Sequence, residues 1–213
     1  MLLFDSWIVT SLIPFVPRND AYLILPFYTM AKIPDHAKKV FSGVIFDVYQ
    51  WEQYLFNGKT ATFEALRRPS TVIIISMIGD KIAIARERQP GKDWYLTPFA
   101  GRIDDGEDTL VAAKRELREE SGLVSDDREL YQTFSVWGKV DYKMYYFLAR
   151  DCRVEHIQDL DDGWEEIQVQ YISFDAFIAF MQSEDCRDVE FANHIFRLEK
   201  EGRLDDFRKV LGM

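Results

Sequence analysis

The sequence predicts a mixed fold of strands and helices, either an α+β arrangement or an α/β sandwich, in one main domain with an N-terminal appendage. Short segments rich in Val, Ile, Phe, Tyr and Trp recur between Val40 and Ile172. One strong helical segment, Asp108 to Ser121, interrupts them, and helical periodicity takes over after Ser173. Hydrophobic residues make up 47% of the 213 and charged residues 29%, which suits a globular chain with a core of normal size.

Along the chain, residues 1–29 stand apart, with only Asp5, Arg18 and Asp20 charged. Pro14, Pro17 and Arg18-Asn19-Asp20 interrupt the roughly 20 apolar residues that a membrane span needs. A signal peptide would place positive charge ahead of its apolar stretch, where Asp5 stands instead. The segment reads either as an upstream start misassigned in translation, with Met30 the beginning, or as a real extension packed on the body or a partner. From Lys39 the pattern turns to strands. Val40 to Tyr54 alternates partly, Asn57-Gly58 offers a tight hairpin turn, and Thr60 to Phe63 returns. Thr71 to Met77 and Lys81 to Ala85 form a hairpin about Gly79-Asp80, and Gln89-Pro90-Gly91 is a loop. Gly122 sits where a left-handed cap would end the Asp108–Ser121 helix. Phe134–Val136, Tyr142–Leu148 and Gln168–Ile172 read as strands. Ser173 caps a helix running to Met181, and Val189 to Leu211 is helical by periodicity.

Charge and cysteine content narrow the function. The net charge of −10 disfavours general binding to a phosphate backbone, so nucleic acid is not the expected partner. Cys152 and Cys186 cannot build a disulfide framework, which points to a reducing cytoplasm. His36, His156 and His194 show no zinc spacing.

The informative stretch runs from Gly101 to Leu123. On a helix, Glu116, Glu119 and Glu120 are spaced i, i+3, i+4 and share a face, with Leu110, Ala113, Leu117 and Val111 as the opposite, core-facing stripe. Carboxylates crowded this way repel, and hard oxygen donors at that spacing suit Mg²⁺ or Mn²⁺. Arg115, four residues before Glu119, is placed to orient carboxylates. Gly101 and Gly106 free the preceding loop for close backbone approach. Against these stands the plainer reading of a solvated acidic helix, which an isolated Glu-Glu pair would favour. The complete spacing is far more specific: Gly101, five residues, Glu107, seven residues, Arg115-Glu116-Leu117, one residue, Glu119-Glu120, one residue, Gly122-Leu123.

This spacing resembles the Nudix hydrolase box at every motif position. The resemblance implies an α/β/α sandwich around a mixed sheet. It implies divalent-metal-dependent hydrolysis of a nucleoside diphosphate linked to a further group. Carried over by position, Glu116, Glu119, Glu120 and the Ala100 carbonyl become metal ligands, and Glu119 or Glu120 serves in catalysis. Glu107 braces the box toward Arg115, and Gly101 and Gly122 are structural. The expected cofactor is Mg²⁺, with Mn²⁺ able to substitute.

Outside the box, residues 39–69 resemble the N-terminal sheet of the ADP-ribose pyrophosphatase branch, in which this sheet is exchanged between subunits. That implies a homodimer, with 39–69 as dimerisation segment, 70–213 as hydrolase domain and 1–38 as extension. Trp51 and Phe63 would then wall a substrate site, although ordinary sheet packing also accounts for them. Arg86 and Arg88 lie where relatives place a phosphate-binding arginine, or form a solvated strand end. In the acidic run Asp159–Glu166, Glu165 is the best positional match to a base or extra ligand, with Glu166 and Asp162 behind it. Two departures stand out: Thr97 replaces a glutamate of relatives, and Trp137-Gly138-Lys139 fills a region where they carry proline. The expected reaction is hydrolysis of the pyrophosphate of a nucleoside diphosphate sugar, ADP-ribose first. The alternatives are other nucleotide pyrophosphates (GDP-mannose, NADH, triphosphates, RNA 5′ ends) or a regulatory domain that only binds nucleotide.

Overall fold

The computed structural model describes residues 33–135, 138–160 and 163–213. The expectations for residues 1–29, Met30, Val136, Trp137 and Asp162 lie outside the described residues. Two sheets carry the chain. The first contains β1 (Lys38–Ser42), β2 (Asp47–Tyr54) and β3 (Thr60–Arg67) as antiparallel neighbours. The single strand-like stretch expected over Val40–Tyr54 is therefore two strands, because Gly43 turns the chain and its N–H donates to the Phe46 carbonyl at 2.9 Å. The β2–β3 connection is the loop 55–59 rather than a tight two-residue turn. Leu55 N–H closes it on the Lys59 carbonyl at 2.7 Å, and Gly58 takes φ +77°.

The main sheet is mixed. β4 (Thr71–Ile78) and β5 (Lys81–Arg88) form the expected hairpin about Gly79, and β5 is flanked by β13 (Glu166–Ile172). On its other edge β4 pairs in parallel with β11 (Lys143–Arg150), which pairs with β9 (Asp127–Ser135). β9 starts seven residues earlier than the sequence suggests, because its half-exposed residues hide the alternation. Two short strands, β6 (Tyr95–Thr97) and β7 (Phe99–Arg102), add to β5 and β4 on either side of Pro98. β8 (Leu123–Val124) and β12 (Arg153–Val154) make a separate pair, and β10 (Val140–Asp141) runs parallel to β3. That last pairing closes the first sheet with a strand from the body of the chain. Leu66 N–H donates to the Lys139 carbonyl at 2.8 Å and Arg67 Nε to Asp141 at 2.8 Å.

Side-chain alternation splits the core into two layers. Ile73, Ile75, Met77, Ile82 and Ile84 pack against α2 (Phe174–Met181), α3 (Val189–Lys200) and α4 (Leu204–Val210). Val72, Ile74, Ala83 and Ala85 face α1 (Thr109–Ser121) through Ala112, Ala113 and Leu117. The fold is an α/β/α sandwich, as expected. Val111 is half exposed rather than part of the apolar stripe of α1; Ala112 takes its place. The tail expected as one helix breaks into α3 and α4 where Gly202 adopts φ +68°. Among the described residues no helix is long and apolar enough to cross a membrane.

Candidate active site

Asp108 starts α1 by accepting from the Leu110 and Val111 N–H groups at 2.9 and 3.3 Å. Gly122 ends it at φ +70°, donating its N–H to the Arg118 carbonyl at 2.8 Å. Between these caps the carboxylate face of the helix turns toward β7 rather than toward water. Glu120 is 7% exposed, and its carboxylate accepts the Ala100 N–H at 2.9 Å. Burial pushes it well above the usual carboxylate range; the Ala100 N–H opposes the shift, while Glu116, Glu165 and Glu87 reinforce it. Glu116 is raised for the same reason, against the pull of Arg115.

Arg115 organises the remaining charges. Its Nε and Nη2 reach the two Glu107 oxygens at 3.0 and 2.9 Å, a bidentate pair. Nη1 donates to Glu116 at 2.7 Å and to Glu119 at 3.3 Å, and Nη2 also donates to the Arg102 carbonyl at 2.9 Å. Hydrogen bonding to Arg115 holds Glu107 below its ordinary range. Glu107 also accepts the Asp104 N–H at 3.1 Å, so the loop before α1 is tied to the helix. A loop after β12 covers the far end. Asp159 N–H reaches the Glu119 carbonyl at 2.9 Å, Gln158 Nε2 the Glu120 carbonyl at 2.6 Å, and Glu155 and His156 N–H groups the Gly122 carbonyl at 3.1 Å each. The loop thus satisfies carbonyls that the end of a helix otherwise leaves unpaired.

These elements enclose a cavity of about 530 Å³. Ala100, Gly101, Arg115, Glu116, Glu119, Glu120 and Glu165 all line it, so the structure brings most of the sequence candidates together. It does not bring Arg86 and Arg88 there. Successive residues of β5 point to opposite faces, and Arg86 follows Ile82 and Ile84 to the side of α2 and α3. Arg86 donates to Gln168 at 2.9 Å, and Arg88 is held by Glu166 at 2.7 and 3.0 Å. Trp51 and Phe63 are cross-strand partners with ring centroids 6.1 Å apart, and neither lines the cavity.

Sequence reasoning missed four contributors. Glu87 follows Ala83 and Ala85 to the α1 side, is 8% exposed, and accepts from Tyr95 Oη at 2.6 Å and Gln89 Nε2 at 2.7 Å. The alternation of Arg86-Glu87-Arg88 was the available signal for it. Arg68, Val44 and Ile45 reach the cavity from the first sheet. Nothing in their local sequence pattern marks them.

Among the described residues, no group of three or more His, Cys, Asp or Glu side chains is disposed to hold a metal ion. The donor chemistry nevertheless suits a hard divalent cation. Glu120 is a buried carboxylate with one N–H donor, and the Arg115 guanidinium already bridges Glu116 and Glu119 with positive charge.

A family profile described as the NUDIX domain matches residues 66–192. An ADP-ribose pyrophosphatase of Bacillus subtilis (strain 168) is 26% identical over 166 residues, covering 76% of this chain and 89% of its own. A methanol dehydrogenase activator of Bacillus methanolicus is 24% identical over 155 residues, 71% of this chain and 83% of its own. The ADP compounds hydrolase NudE of Escherichia coli (strain K12) is 29% identical over 118 residues, 54% and 63% of the two chains. A crystal structure of an ADP compounds hydrolase shares the fold, with TM-score 0.64 at 24% identity over 78% of this chain and 94% of that one.

Proposed function

The chain belongs to the Nudix family and is a pyrophosphohydrolase, and we propose that it hydrolyses nucleoside diphosphate sugars, with ADP-ribose the first substrate. Water attacks one phosphorus of the diphosphate, the bond from that phosphorus to the bridging oxygen breaks, and the products are a nucleoside monophosphate and a sugar phosphate. The observation that carries this reading is the convergence of Glu116, Glu119, Glu120 and Glu165 on one cavity floored by Gly101. The match to the ADP-ribose pyrophosphatase supports it, since it spans a longer stretch than the domain profile.

Glu116, Glu119, Glu120 and the Ala100 carbonyl would hold Mg²⁺, or Mn²⁺ in its place. When bound, the cation would neutralise diphosphate charge and acidify an attacking water. Glu165, which comes from the loop before β13 rather than from α1, takes the proton of the attacking water. Arg115 and Glu107 keep the α1 carboxylates aimed into the cavity, with Gly101 and Gly122 shaping the two ends of the motif. The complete acidic set favours turnover over a domain that only binds nucleotide.

The working form is a homodimer in a reducing cytoplasm, with segment 39–69 as dimerisation sheet and 70–213 as hydrolase body. Trp51 and Phe63 meet substrate only by reaching a partner's cavity. Exposed Val40, Phe41, Tyr54 and Phe56 favour such burial, and Cys152 and Cys186 carry free thiols. Hydrolysis of ADP-ribose in ¹⁸O-water tests the reaction. One labelled oxygen in a single monophosphate product supports it. Label-free products, or a cyclic phosphate, would contradict attack by water on the diphosphate.

A further inference from the structure

We propose that Arg68 grips the substrate's diphosphate, an inference that rests on the reading above and deepens it. A diphosphate bridging two sugars carries charge that metal ligands alone do not orient, and arginine is the side chain suited to phosphate oxygens. Two other arginines line the cavity, and both of them, like Arg88 outside it, are engaged with carboxylates. Arg115 is spent on Glu107, Glu116 and Glu119, Arg102 pairs with Asp104 at 3.2 Å, and Arg88 is clasped by Glu166. Arg68 lines the cavity and forms no ion pair with a carboxylate among the described residues.

The setting of Arg68 differs in kind. Its guanidinium lies 4.3 Å from the Tyr142 ring centroid and 6.0 Å from that of Phe46. Among the described residues its one side-chain hydrogen bond is a long 3.4 Å contact from Nε to the Pro69 carbonyl. Stacking uses the face of the guanidinium and leaves the Nη edge for an oxyanion. Its backbone is fixed as well: the Arg68 N–H donates to the Asp141 carbonyl at 3.4 Å, and Pro69 follows. A cation held by rings rather than by carboxylates keeps its charge for a ligand. It stands beside an acidic wall that would otherwise repel a diphosphate.

Steady-state kinetics on ADP-ribose with Arg68→Gln and Arg68→Lys test the proposal, alongside thermal midpoints and Mn²⁺ affinity by electron paramagnetic resonance. For Arg68→Gln, KM should rise about 10- to 100-fold with kcat within about threefold, as loss of a charge-assisted contact implies. Arg68→Lys should recover part of that loss, since it keeps the charge without the fork. Mn²⁺ affinity should be unchanged in both. A KM within twofold of the wild type in a folded variant overturns the proposal. Were Arg68→Gln to unfold, Arg68→Lys decides: a KM raised fivefold or more supports the grip, and a wild-type KM overturns it. Were the wild type inactive on every nucleoside diphosphate sugar, the functional reading would fail by itself. Titration calorimetry with inorganic pyrophosphate would then judge Arg68 alone, with weaker binding by Arg68→Gln supporting it and equal binding overturning it.

Discussion

The backbone of Gly101 and the carboxylate of Glu116 are in contact so close that a Cβ at position 101 would lie 1.9 Å from the Glu116 carboxyl carbon. The obstacle is the end of a flexible side chain, so Gly101→Ala has an escape: Glu116 swings aside. The variant should therefore fold, with a thermal midpoint within a few degrees of the wild type. Its Mn²⁺ affinity should fall about tenfold or more, because a ligand has left its place. Gly122→Ala has no such escape. Its Cβ would meet the rigid His156 carbonyl oxygen at 2.2 Å, from a backbone at φ +70°. Left-handed strain and overpacking together should cost at least about 2 kcal/mol, read by chemical denaturation. Equal stability losses in the two variants would contradict this division.

Glu120→Gln should stabilise the cation-free protein at neutral pH. Burial holds the Glu120 carboxyl well above its ordinary value of 4.5, so folding favours the protonated form. Its contribution is therefore present in full below about pH 4.5 and is lost as pH rises through the folded value. Glutamine is neutral throughout and can still accept the Ala100 N–H. The midpoint of the variant should exceed that of the wild type by about 2–4 °C at about pH 8, and the gap should close as pH falls toward 4.5. A gap that is constant with pH, or largest in acid, would show that Glu120 is not a buried charge. Turnover in Mg²⁺ should drop by orders of magnitude in the same variant.

The motif and its helix were legible in the sequence because both are local. Spacing alone gives Glu116, Glu119 and Glu120 one face, and Gly122 marks the C-terminal cap, whereas the capping role of Asp108 appeared only in the structure. The direction of that face was not legible. An acidic stripe reads as solvent-facing until β7 is known to lie against it, and β7 with β6 consists of strands too short to announce themselves. Arg86 and Arg88 show the same limit from the other side. Their types suit phosphate, but strand alternation sends Arg86 to the α2 side, and Glu166, far along the chain, captures Arg88. Arg68 was hidden because its surroundings, Phe46 and Tyr142, come from segments distant in sequence.

The first sheet should assemble two chains. Light scattering should return about 50 kDa at micromolar concentration, twice the 25.0 kDa of one chain. Phe41→Lys together with Phe56→Lys, both at exposed positions, should shift the mass toward one chain without unfolding it. A mass of one chain for the wild type would contradict the dimer and remove Trp51 and Phe63 from any role at the site.

The most direct test of the central claim is a substrate panel read as kcat/KM in Mg²⁺, by phosphate release after phosphatase coupling. The panel comprises ADP-ribose, GDP-mannose, ADP-glucose, NADH, diadenosine polyphosphates and deoxynucleoside triphosphates. ADP-ribose should lead, with GDP-mannose next and every triphosphate at least about tenfold behind, a transition-state preference of about 1.4 kcal/mol. A triphosphate favoured tenfold over every nucleoside diphosphate sugar would contradict the proposed substrate class.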